Sequence, residues 1–154
     1  MKEKDELLQI FPLPVLICKY ENSIEEEFKF VKNLKYIEQK ENDNFKSDDT
    51  YLLKHQELSK IKEFFLQSLN KFTQNIIQTK QRLVVTQAWT NRNPPHSKHH
   101  EHVHPNSIIS GVFYFRQSKT LPPIQFSKAV QDGIKLAPEK YNSFNAETFI
   151  LPMV

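Results

Sequence analysis

The chain has 154 residues, enough for one domain with its own core and short for two. Only two glycines occur, Gly111 and Gly133, which excludes glycine-rich phosphate loops and dinucleotide fingerprints and leaves the turns to Pro, Asn and Asp. A net charge of +3 that includes only three Arg gives no nucleic-acid-binding stripe, and the single Cys18 excludes an intramolecular disulfide and any multi-cysteine metal site.

In chain order, Ile10 to Tyr20 is apolar and β-branched and predicts an opening strand, with Pro12 and Pro14 placing it at a sheet edge. Cys18 lies inside this run and is expected to be a small buried hydrophobe. Ser23 followed by Glu26 forms a capping box, and Ile24, Phe28 and Val31 continue it at helical spacing. Glu38 to Thr50 is polar, with Asn42-Asp43-Asn44 as turn chemistry, and predicts a loop ending in a short extended piece at Tyr51-Leu52-Leu53. His55 stands alone before the next element and is expected at the surface. From about Glu57 to Gln78, Leu58, Ile61, Phe65, Leu69, Phe72 and Ile76 recur every three or four residues, a single apolar stripe on a second helix.

Beyond that helix the period changes from 3.6 to 2. Arg82 to Asn91, Ile108 to Phe115, Ile124 to Ser127 after Pro122-Pro123, and Thr148 to Leu151 all predict strands. Helices first and antiparallel strands after them predict an α+β fold with the helices packed on the sheet. No internal repeat or linker divides the chain, so a single domain over 1–154 is expected, with a helical and edge-strand part at 1–80 and a β-core at 81–154.

No apolar run approaches the ~18 residues of a membrane span, and the start Met1-Lys2-Glu3-Lys4-Asp5-Glu6 is too acidic for a signal peptide. A cytoplasmic protein is therefore expected, with neither membrane nor nucleic acid as a partner; a homo-oligomer is compatible with the sequence. After residue 79 the only acids are Glu101, Asp132, Glu139 and Glu147, a short list from which to build a catalytic carboxylate pair.

Five of the six His lie within nine residues: His96, His99, His100, His102 and His104. In an extended segment alternate residues share a face, so His100, His102 and His104 point one way while Glu101 and Val103 point the other. Two neutral imidazoles so spaced can chelate one iron, zinc, nickel or copper ion. The competing reading is a solvated, Pro-bounded loop, which is favoured for His96 and His99. The apolar strand expected directly after His104 favours the metal reading for His102 and His104, with His100 as a substitute for either.

Gln87-Ala88-Trp89, followed by His102-Val103-His104-Pro105-Asn106-Ser107 and then Ser110-Gly111-Val112-Phe113-Tyr114-Phe115, resembles the 2-oxoglutarate- and iron(II)-dependent oxygenases common in marine phages and bacteria. The resemblance extends weakly to Phe11-Pro12-Leu13-Pro14-Val15 and to Asn44 through Tyr51. It implies a double-stranded β-helix of jelly-roll or cupin type, with Fe(II) and 2-oxoglutarate as cofactors and succinate and CO₂ as products. His102 matches the first metal ligand, and His104 falls where this superfamily usually has a carboxylate. Gln87, Ser110 and Tyr114 are the candidate cofactor-binding positions, with core packing the favoured role for Tyr114. Asn106 and Ser107 are expected to turn the chain, Trp89 to pack in the core, and Gly111 to mark either a close backbone approach or simple packing.

No His follows His104 and no Arg or Lys follows Lys140, so the distal His and the basic residue that the resemblance implies are missing from the sequence. The expectation is either a fragment that ends before the last strands or a degenerate member that binds without turning over. The alternatives from other classes are a jelly-roll binding module, with a structural metal or none, and a structural or virion-associated protein whose His cluster is a solvated loop. The substrate, a small molecule or a protein, is not encoded in any readable motif.

Overall fold

The computed structural model describes residues 12–41, 43–95, 97, 99–116, 123–127, 138–141, 146 and 148–151. Ile10, Phe11, Asn42, His96 and Pro122, on which several of the expectations above fall, lie outside the described residues. The chain divides into two compact units, Met1–Asn106 and Ser107–Val154.

In the first unit, helix α1 (Glu25–Lys32) forms where the apolar spacing predicts it. Its first turn carries Glu25, Glu26 and Glu27 and its last Lys29 and Lys32, the charge order that opposes the helix dipole. The expected capping box is not made. Ile24 occupies the cap without a side-chain hydrogen bond, and Ser23 accepts from the Glu25 N–H only at 3.5 Å. Tyr36 ends the connection to the sheet by donating to the carbonyl of Val31 at 2.8 Å.

The segment expected as a loop is an antiparallel hairpin, β1 (Tyr36–Gln39) and β2 (Asn44–Ser47), in register from Tyr36↔Ser47 to Gln39↔Asn44. Asp43 takes a left-handed φ of 50° in its turn, a conformation that Asp tolerates better than most residues. The turn chemistry was visible in the sequence; its flanking strands were hidden by polar residues that alternate too briefly to show a period. Strand β3 (Asn91–Arg92) completes this sheet by pairing with Phe45 and Lys46.

Ladder-like bonds extend the pairing backward from β3: Ser47 N–H to Thr90 O at 2.9 Å, Ala88 N–H to Thr50 O at 2.9 Å and Leu52 N–H to Ala88 O at 3.0 Å. Arg82 to Gln87 form no regular strand, which corrects the ten-residue strand expected there. Likewise residues 12–20 carry no strand, and Leu13, Val15 and Ile17 are exposed.

Two short 3₁₀ turns, Leu52–Lys54 and Gln56–Leu58, lead into helix α2 (Ser59–Phe72), which continues as a π turn over Thr73–Ile77. Gln78 closes it with φ 54° and an N–H bonded to Thr73 O at 2.7 Å, filling the left-handed position usually given to glycine. Among the described residues the buried hydrophobic ones are Val31, Leu52, Leu53, Leu58 and Ile61. The apolar stripe of α2 is therefore covered at its start, and Ile76 at its end is 49% exposed.

In the second unit, β4 (Gln125–Ser127) and β5 (Thr148–Ile150) pair antiparallel, Phe126 opposite Phe149. Both were expected as strands. The expected strand over Ile108 to Phe115 is irregular, with Phe113 and Phe115 packed edge to face at 5.1 Å. Gly111 is not a close-approach position, since a Cβ there would meet nothing within 4 Å. The described architecture is thus mixed helix and sheet with small antiparallel sheets; it does not display the strands of a double-stranded β-helix. No helix among the described residues is long and apolar enough to cross a membrane.

Candidate functional site

His100, His102 and His104 all lie in the first unit, in the irregular segment that follows β3. All three are exposed, and so is Val103 at 81%. The expected inward face of a strand entrance is therefore absent, because no strand forms here to bury it. The rings nevertheless lie in series, with centroids 5.1 Å apart for His100 and His102 and 5.0 Å for His102 and His104.

His102 Nδ1 sits 2.9 Å from the carbonyl of His100. A carbonyl only accepts, so Nδ1 carries the proton and Nε2 of the neutral ring keeps its lone pair. That is the arrangement that orients a metal-binding imidazole. Imidazoles sharing an ion at about 2.0–2.1 Å hold their ring centres about 5 Å apart, so the spacing of His102 and His104 suits a pair of ligands. Among the described residues no group of three or more His, Cys, Asp or Glu is arranged to hold a metal ion. The donor set thus fits two ligands of a centre, not a complete protein triad.

His104 is also 5.7 Å from the ring of Trp89, and Lys46 Nζ stands 4.5 Å from the centre of that ring. Trp89 is half-buried in this stack of charge, indole and imidazole rather than enclosed in a core. His99, favoured above as a solvated residue, is exposed and also bonded. Its Nε2 accepts from Asn44 Nδ2 at 2.9 Å. Partial burial, reinforced by His102 and His100 nearby, lowers its pKa and favours the neutral ring.

The remaining candidates are less engaged. Gln87 is exposed. In the second unit Ser110 is exposed and donates to Ser107 Oγ at 3.2 Å, while Ser107 donates to Ile109 O at 2.6 Å. Of the two residues expected to turn the chain, Asn106 does so together with Pro105, whereas Ser107 lies just beyond the turn. Tyr114 is half-buried, and this burial raises the pKa of its phenol, keeping it a neutral hydrogen-bond donor.

His55, expected alone at the surface, is paired. Its Nε2 lies 2.7 Å from Asp49 Oδ2 and its ring packs 5.1 Å from Phe30. With Leu34, Lys35 and Asp48, His55 and Asp49 line an open cavity of about 390 Å³. The sequence signal for it was thin: an acid six residues before a lone His, brought together by a turn.

Residues 87–151 match the model of the family described as "Putative 2OG-Fe(II) oxygenase". The match covers Gln87, Ser110, Tyr114 and the three imidazoles, and supports that family for this part of the chain. No curated protein and no solved structure matches the chain.

Proposed function

We propose that this protein is an Fe(II)- and 2-oxoglutarate-dependent oxygenase whose metal is held by His102 and His104, with His100 able to replace either. The observation that carries the reading is that the family match at 87–151 contains every candidate residue. The orientation of His102 supports it, since the bond from Nδ1 to the His100 carbonyl leaves Nε2 open. Within the family, the block from His102 to Phe115 points to the marine phage and bacterial type, and the fold belonging to that reading is a double-stranded β-helix.

The bound metal and 2-oxoglutarate supply O₂ activation: one oxygen atom enters the substrate and the other enters succinate as CO₂ leaves. The chain's own contribution is to hold the ion with two neutral imidazoles and to present hydrogen-bond donors to a carboxylate, for which Gln87, Ser110 and the un-ionised Tyr114 are the proposed residues. A second imidazole in place of a carboxylate leaves more positive charge on the ion and widens the range of metals that fit. The substrate, a small molecule or a protein, would be met in the cytoplasm, that of the host if the gene is carried by a phage.

The test is anaerobic. Protein with Fe(II) should give a new visible absorbance on adding 2-oxoglutarate, and His102→Ala/His104→Ala should give none. A wild-type spectrum that 2-oxoglutarate leaves unchanged would favour a binding module with a structural metal or none.

A further inference from the structure

Asn44 is 1% exposed and its side chain is among the most deeply buried in the described residues. Its Nδ2 donates to His99 Nε2 at 2.9 Å, joining residues 55 apart in sequence, while its buried Oδ1 has no hydrogen-bond partner among the described residues. An unpaired buried oxygen opposes folding. An apolar side chain would fill the same space without it, so what only the amide provides is the bond to His99.

The position of that bond gives it leverage. Arg92 of β3 pairs with Phe45, the neighbour of Asn44, and His99 lies seven positions beyond Arg92 in the sequence. The chain therefore leaves the sheet beside β2 and is returned to the first residue of β2 before the histidine run begins. Asn44 and Lys46 are alternate residues of β2 and share one face. The first holds His99 and the second covers Trp89, whose ring meets His104. The run carrying His100, His102 and His104 is thus tied to one strand near both of its ends.

We infer that Asn44 is a positioning residue for the candidate metal centre, fixing through His99 the start of the segment that presents His100, His102 and His104. The inference rests on the metal reading proposed above. Loss of a residue that orients metal ligands typically weakens binding about 10–100-fold. It acts here on the ligands and not on the ion.

The experiment is a set of Co(II) titrations of the full chain, each well below the variant's Tm so that reduced stability by itself does not move Kd. Asn44→Ala and His99→Ala should each raise Kd about tenfold with unchanged stoichiometry. The double variant should be no weaker than the poorer single one, because both changes remove one bond. Wild-type affinity in both single variants, or losses that multiply in the double variant, would overturn the role of Asn44. If Asn44→Ala does not fold, His99→Ala at its exposed position decides alone. Co(II) binding that survives His102→Ala/His104→Ala overturns the metal reading and this inference with it; loss there without loss in the single variants overturns only the role of Asn44.

Discussion

Asp49 makes a separate bond with each carboxylate oxygen. Oδ1 accepts from the Tyr51 N–H at 2.6 Å and Oδ2 meets His55 Nε2 at 2.7 Å. The bond to His55, followed by that to Tyr51, lowers its pKa below 3.8. A carboxylate whose folded-state pKa is depressed adds stability above its unfolded value and loses it as pH falls through the folded one. Wild type should therefore melt above Asp49→Asn at neutral pH, with the gap closing below pH 3.8. A gap that thermal melts find constant across that range would show that the charge of Asp49 contributes nothing. His55 illustrates why single residues are hard to read from sequence: its partner is six positions away across one 3₁₀ turn, with no periodicity to announce it.

Helix α2 is the element whose sequence speaks most plainly, and its packing shows where such a pattern stops being informative. Leu58 and Ile61 are each 2% exposed, whereas Ile76 on the same stripe is 49% exposed. Period identifies the helix and its face, not how far along that face the neighbours reach. Ile61→Ala should accordingly cost about 2–5 kcal/mol in urea unfolding, and Ile76→Ala less than about 1 kcal/mol, since little burial is lost. Equal costs would contradict this distribution of the core. The hairpin β1–β2 was illegible for the opposite reason. Its four-residue strands are held by the pairing of β2 with β3 and by the bond from Ser47 N–H to Thr90 O, partners more than forty residues away. The strand at Gln125–Ser127 was readable from the alternation of Ile124 and Phe126 after Pro122-Pro123, and that at Thr148–Ile150 from the short apolar run Phe149-Ile150-Leu151 ahead of Pro152. The histidine run was conspicuous by composition, yet its setting was not: an expected strand entrance is an exposed irregular segment, tethered by Asn44, a residue that looks like part of a turn.

At the scale of the molecule, the family match begins at residue 87, but the structure holding that beginning lies upstream. Thr90, Ala88 and Arg92 are bonded to residues between Phe45 and Leu52, and Arg92 also donates to the carbonyl of Lys32 and stacks 3.7 Å over Tyr36. The first half of the chain is thus the scaffold on which the first part of the matched segment is laid, and the metal binding proposed for the histidine run depends on that scaffold. The most direct measurement is calorimetric titration of the full chain with Fe(II) under anaerobic conditions. The account predicts about one equivalent bound by two imidazoles and none by His102→Ala/His104→Ala; equal binding by that variant and by wild type would contradict it.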